Sequence, residues 1–449
     1  MSTATAPGKA TGGRAQPRWL HSRWLVPLVL ALPFLVMIAA LRGLTVTLPI
    51  FHSTDEGVYL YPTILQFSHE LPFPDIGHYV AAQTPLFPLL EAYAGKLIGY
   101  ELWRLRLVEV VISYALGLSV YVLLHRRLNL GRLRSLALAV LFVLSPYVFG
   151  TSFRAITDNL ATLFIVLSVE RFERYRESGE LSAFCVGCAA VAAAILTRQS
   201  AAFMLAVAGL YALFAPNSLR RRSLALLAVA LAAAPAAALF LSWHGLVPPG
   251  GDPSSCALCP AGRAHGATQG TLEVQTPELT LATIGLYGAI LFVPLLAMSA
   301  WGRPRDELLK RVRNVRAIAA GVLLGALLLV AFPARPGHHA AGVLWNVSER
   351  LPIILGSSLL FWLLVPLAGA IVVWRFVAGP RPWLFTAFLV SFLLGALAIR
   401  FPWQKYVDPF ALLALFFTLR EDDFAKPREL AGAALLALAF IAYTLSFVV

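Results

Sequence analysis

Two adjacent carboxylates, Asp55 and Glu56, follow closely on the first membrane-length apolar run, within the stretch 51–59. A carboxylate at a membrane–water boundary has three uses: general base, metal ligand or helix cap. Thr54 and Asp55 offer good capping chemistry for a helix starting near Gly57. Capping leaves the neighbouring Glu56 and the aromatic Tyr59 unexplained. Because charge beside a bilayer is costly, the functional reading is favoured.

Three further polar motifs sit at the ends of apolar runs. Thr157-Asp158-Asn159 occupies a very short turn, with Arg154 four residues before Asp158. Two readings stand side by side there: a local i,i+4 ion pair, or an acid gathered toward Asp55. Arg198-Gln199 breaks two apolar runs on the same expected side. An arginine on that face runs against the positive-inside bias and needs either a local acid or an anionic ligand. The last motif, 400–409, carries Arg400 and Lys405 among Trp403 and Tyr406. Aromatic residues at an interface are ordinary, but arginine and lysine beside them are the usual readers of phosphate. The combination is a candidate base beside cations able to hold an anion.

Other motifs carry less. His338 and His339 are adjacent, so on a helix they diverge and chelate poorly. Cys185 and Cys188 lie in an Ala-rich span and read as packing residues. Cys256 and Cys259 form a lone C-x-x-C without partners at ligand spacing; a small loop disulfide is the better reading. No P-loop and no dinucleotide-binding glycine fingerprint is present, so nucleotide-driven chemistry has no support.

The elements that must position these residues are membrane helices. The chain is 59% hydrophobic and 13% charged, where a soluble domain carries about 25% charged residues. Runs such as 24–41, 224–241 and 317–332 are long enough, or nearly so, to cross a hydrocarbon core. The expectation is an all-α polytopic protein with about thirteen transmembrane helices. Residues 1–23 read as a disordered, basic cytoplasmic tail, and 24–449 as a single transmembrane domain. Long exoplasmic loops are expected at about 45–103, 244–280, 334–351 and 400–408. Within the first, 83–93 has amphipathic character suited to an interfacial helix. The net charge of +13 falls in clusters that each follow an even number of spans. That is the positive-inside pattern, which sets topology and touches anionic lipid, so no nucleic-acid partner is implied. The N-terminus is therefore expected in the cytoplasm and the acidic face outside, and the Ala/Arg/Leu-rich composition favours a bacterial inner membrane.

In their order and topology the four motifs resemble the GT-C class of integral membrane glycosyltransferases. Within it, the chain is most similar to the lipid-linked-oligosaccharide α-1,2-glucosyltransferase family, at Asp55-Glu56, at 147–158, at Arg198-Gln199 and at 400–409. The protein O-mannosyltransferase and lipid A aminoarabinose-transferase branches share the Asp–Glu loop. The resemblance implies an inverting hexosyltransferase that moves a sugar from a polyprenyl-phosphate donor to a hydroxyl of a glycan or lipid-linked acceptor at the exoplasmic face. It assigns Asp55 and Glu56 to catalysis, Asp158 and Tyr59 to orienting the acceptor, and Arg198, Gln199, Arg400 and Lys405 to the donor phosphate. No cofactor is required; a divalent metal is compatible with paired carboxylates, but the cations can do its work. The rival reading from another class is a transporter or flippase of a lipid-linked sugar, for which charges near the midplane and an internal repeat would be expected.

Overall fold

The computed structural model describes residues 24–45, 55–215, 218–249, 275–300, 315–333, 342–379, 381–399 and 403–446. Arg400, Cys256, Cys259, His338, His339 and the basic tail lie outside them. Among the described residues the protein is helical except for one two-residue antiparallel ladder, Ile353–Ile354 with Ser357–Ser358.

Five helices among the described residues are long and apolar enough to cross a membrane: Leu102–Arg127, Leu219–Trp243, Gln275–Ala297, Leu359–Val377 and Pro427–Leu445. Five shorter apolar helices accompany them, Leu25–Ala40, Leu181–Thr197, Gln199–Phe214, Val315–Ala331 and Pro382–Ala396. The chain is an integral membrane protein. Helix lies in each of the thirteen expected runs, though the run 135–152 breaks into two helices, and length and composition mark fewer than thirteen as spans. The expected span 157–170 is the front of a longer helix, α7 (Asp158–Ser178), whose last turns are charged. The expected span 409–419 is only α16 (Asp408–Phe417).

The remaining helices are α1 (Leu25–Ala40), α2 (Tyr61–Glu70), α3 (Leu86–Ile98), α4 (Leu102–Val122), α5 (Arg132–Leu144), α6 (Pro146–Thr151), α8 (Leu181–Thr197), α9 (Phe203–Phe214) and α10 (Leu219–Trp243). Then follow α11 (Gln275–Ala300), α12 (Val315–Ala331), α13 (Val343–Ser348), α14 (Leu359–Ala378), α15 (Pro382–Ala396) and α17 (Ala431–Leu445). The first long loop is thus a folded layer. It opens with a π-helical turn, Asp55–Leu60, and continues through α2 and α3. Its own small core gathers Leu60, Ile64, Phe67, Tyr79 and Phe87 against Trp243 at the end of α10. Thr84 donates to the Ile195 carbonyl at 2.7 Å, and Trp243 donates to the Ile76 carbonyl at 3.0 Å. These bonds pin the layer to the ends of α8 and α10.

α7 and α8 form a hairpin through Gly179, whose φ of +69° closes α7 in the left-handed conformation glycine tolerates. The hairpin returns Arg198 to the end of the bundle where Asp158 begins. At the opposite end, arginines tie helices together. Arg127 pairs with Glu170 and Glu177, and Arg375 with Asp423. Arg381 donates to the Arg127 carbonyl, and the fully buried Glu173 takes Arg176 and the Tyr211 hydroxyl. Elsewhere small residues allow backbone contact. Gly321 of α12 meets Gly369 of α14 so closely that a Cβ on either would overlap the other's carbonyl oxygen.

Candidate active site

The acid end of the bundle collects residues from four distant segments. Asp55 enters the π turn from the first loop, and its carboxylate accepts from Lys405 Nζ at 2.5 Å. The alternative of a simple helix cap at Asp55 gives way to this ion pair, 350 residues apart in sequence. Lys405 lies in a single 3-10 turn, Gln404–Tyr406, placed by the start of α16, where Pro409 at the first turn fixes the helix entry. Its ammonium sits 4.5 Å from the Trp403 ring centre and 5.1 Å from that of Tyr406. The two rings stack at 5.8 Å with 18° between their planes.

Arg198 is held in extended backbone between α8 and the turn Gln199–Ala202, so the break projects it rather than burying it in a helix. Its guanidinium pairs with Asp158 at 2.6 Å, donates to Thr157 Oγ1 at 3.2 Å and covers the Tyr406 ring at 4.5 Å. Asp158 therefore finds its cation across the hairpin; the acid gathered toward Asp55 is the reading that holds. Tyr406 joins the two cations, lying against both. A cavity of about 30 Å³, room for roughly one water molecule, is lined by Asp158, Thr162, Arg198, Ser200, Lys405 and Tyr406.

Electrostatics follow from this crowding. Burial alone would raise the Asp55 pKa, but Lys405, then Arg198 and Arg154, outweigh it and hold the carboxyl below its ordinary 3.8. Burial works to neutralise Lys405, yet Tyr406, Asp55 and Asp158 hold it above its ordinary 10.5. For Arg198, burial is likewise overcome, chiefly by Asp158. Burial brings Arg154 down to about 10. At neutral pH the cluster is a set of fixed charges of both signs.

Glu56 has a different setting. It is 2% exposed, and Arg106 of α4 grips it with two bonds, Nε to Oε1 at 2.9 Å and Nη2 to Oε2 at 2.8 Å. The Ala155 N–H also donates to Oε1 at 2.9 Å, and Arg106 Nη1 reaches the Leu44 carbonyl at 2.9 Å. Glu56 thereby fastens the first loop to α4 and to the turn before α7. Gln199 is also engaged elsewhere: its amide donates to the Ala82 carbonyl at 2.7 Å, tying α8 to the first loop. Tyr59 lies half-buried against the small core of that loop. The sequence reading brought Asp55, Asp158, Arg198 and Lys405 together correctly, and separated neither Glu56 nor Gln199 from them.

It missed Arg106, although an arginine inside an apolar run is itself a signal. It also missed Glu91 and Glu109, both fully buried, with both Glu91 oxygens and Oε2 of Glu109 lacking a hydrogen-bond partner among the described residues. Among the described residues no group of three or more His, Cys, Asp or Glu could hold a metal ion. Asp55 and Glu56 turn to separate cations and form no chelate.

No curated protein matches the chain. Among solved structures, ArnT from Cupriavidus metallidurans bound to undecaprenyl phosphate is similar at 17% identity with a TM-score of 0.46. That likeness covers 94% of this chain but 63% of ArnT, so the chain spans less than two thirds of its length. By sequence, residues 82–243, which carry Asp158, Arg198 and Gln199 but neither Asp55 nor Lys405, match the family described as dolichyl-phosphate-mannose-protein mannosyltransferase.

Proposed function

We propose that the protein is a GT-C-type inverting glycosyltransferase that moves a sugar from a polyprenyl-phosphate donor to an acceptor hydroxyl at the exoplasmic face of the membrane. The observation that carries this reading is the Asp55–Lys405 pair with Arg198 beside it, joined through Tyr406. The mannosyltransferase match over 82–243 supports the same class of chemistry. The sugar, here read as a hexose, follows from the family resemblance alone.

The chemistry needs three things. The acceptor oxygen must lose its proton as it attacks C1, and Asp55 is the base. The C1–O bond to phosphate breaks with its electron pair passing to the phosphate oxygen, and Lys405 and Arg198 stabilise that anion. Polyprenyl phosphate then leaves without needing a proton. Arg400, which belongs to the same motif, is proposed to assist. Asp158 holds Arg198 in place, while Glu56 and Gln199 set the loop that presents Asp55. Lys405 serves two partners in turn: a donor phosphate that draws it away leaves Asp55 a stronger base. Metal is not required, because the positive charge is already in place.

These groups lie at helix ends rather than halfway along the spans, which supports the transferase over the transporter. The test is transfer from a panel of radiolabelled polyprenyl-phosphate sugars in membranes, comparing wild type with Asp55→Asn at equal expression. Transfer by wild type and its loss in the variant, with donor binding retained, is the expected result. No transfer by wild type from any donor would sink the reading.

A further inference from the structure

Lys405 is flanked by a residue whose side chain points away from the charges. Gln404 is 2% exposed, and its Oε1 accepts two bonds, from the Leu344 N–H at 3.1 Å and from the Tyr147 hydroxyl at 3.2 Å. The Tyr147 oxygen in turn accepts from the Val343 N–H at 3.1 Å. The phenol and the amide thus take the first two N–H groups of α13, which the helix itself leaves unsatisfied. Distant side chains cap a helix that has no capping side chain of its own.

Gly342 shows how tight this junction is. Its φ is +131°, and a Cβ there would overlap the Gln404 Cβ and press on Tyr147 Oη. Position 342 is glycine both for its backbone and for the approach. Tyr147 also lines the small cavity together with Lys405 and Arg198. A run of hydrogen bonds, joined by Tyr443 at Tyr147 and by Tyr287 at Gln404, therefore links α13 and α6 to the residue next to the lysine that meets Asp55.

We propose that Gln404 is a positioning residue, locked by Tyr147 and α13, that sets the place of Lys405 against Asp55. This rests on the transferase reading only for its effect on turnover. Freeing the Gln404 side chain lets the turn Gln404–Tyr406 shift, and a shift of a whole bond length breaks the hydrogen bond of an ion pair held at 2.5 Å. Release of the junction exposes the Lys405 ammonium and costs turnover.

The experiment has two readouts on the full-length protein in detergent. One is the rate at which an amine-acylating reagent labels Lys405, followed by mass spectrometry. The other is kcat and donor KM for sugar transfer. Gln404→Met keeps the side-chain length without the acceptor oxygen, and Tyr147→Phe removes one hydroxyl while keeping the ring. Gly342→Ala forces the junction apart. The expected result is Lys405 labelling raised about tenfold in all three, with kcat lowered by a similar factor, the scale of one or two lost buried hydrogen bonds. A merely structural bond would lower thermal stability without changing Lys405 reactivity at temperatures where the variants are folded. Labelling at the wild-type rate in Tyr147→Phe, the mildest change, together with either other folded variant overturns the proposal. So does raised labelling with wild-type turnover. If wild type itself transfers no sugar, the transferase reading fails and labelling alone decides the position of Lys405.

Discussion

Asp55 and Glu56 are neighbours in the chain, yet one faces Lys405 from the far end of the sequence and the other is gripped by Arg106 of α4. The pair divides into a carboxylate that meets the cations of the candidate site and one that fastens the loop to α4. Glu56, at 2% exposure, spends both lone pairs of Oε1 and one of Oε2 on three bonds that anchor the loop, and protonating it would weaken its grip on Arg106.

The division predicts opposite mutational signatures. Arg106→Ala leaves the Glu56 carboxylate buried without its partner and should destabilise the protein by about 3–5 kcal/mol. The double change Glu56→Gln with Arg106→Leu should recover part of that, because no buried charge is left alone. Melting temperatures in detergent check both. Equal losses in the single and double variants would show that the pair is not what holds the loop.

The pH profile separates free from donor-bound enzyme. In the free enzyme Asp55 ionises below 3.8 and Lys405 loses its proton above 10.5. The kcat/KM profile should therefore be flat between about pH 5 and 9. Donor phosphate that takes Lys405 removes the cation lowering Asp55, so the acid limb of kcat should lie at higher pH than that of kcat/KM. Coincident acid limbs would mean that Lys405 never leaves Asp55. The same pair sets stability. Its contribution is present above the unfolded carboxylate value and is lost as pH falls through the lower folded value of Asp55. On the other side it is present below 10.5 and lost as pH rises through the raised folded value of Lys405.

Arg198 should not tolerate lysine. Its Nη1 meets both Asp158 and Thr157 while the flat face of the guanidinium lies on Tyr406, and an ammonium has no planar face to keep the ring contact alongside those bonds. Arg198→Lys is expected to raise donor KM about tenfold, and Tyr406→Leu, which removes the ring face, a few-fold. Steady-state kinetics across a donor titration provides the measurement, and unchanged KM in Arg198→Lys would remove Arg198 from the phosphate site.

Glu91 offers a test without substrate. Burial, with neither oxygen hydrogen-bonded, pushes this α3 carboxyl up to about 8. The folded protein therefore holds a proton that the unfolded chain loses above 4.5, so its contribution to stability declines as pH rises from there toward 8. Glu91→Gln should raise the melting temperature at pH 7.5 and leave it nearly unchanged at pH 4.5. A flat difference across that range would show that Glu91 finds a partner in solution.

Membrane-length apolar runs were legible because twenty residues of hydrocarbon-compatible sequence have few other readings. The site was legible where charge stood at a membrane exit, as at Asp55, Asp158, Arg198 and Lys405. Pairing was not legible. Nothing local distinguishes Arg154 from Arg198 as the partner of Asp158, since the choice depends on how the α7–α8 hairpin returns. The far boundary of α7 was missed because helix continues past the apolar stretch, whereas α16 falls within two residues of its expected run. Gln404 stood inside the 400–409 motif with nothing local to mark its partners, which depend on where α13 comes to rest.

The contact between Gly321 and Gly369 has a bearing on the isoprenoid tail of a donor. Two backbones in touch form a caulked seam, with no side-chain furrow for a hydrocarbon chain to lie in. On the proposed function the tail is expected along another face of the bundle, and alanine at either glycine would push this seam apart.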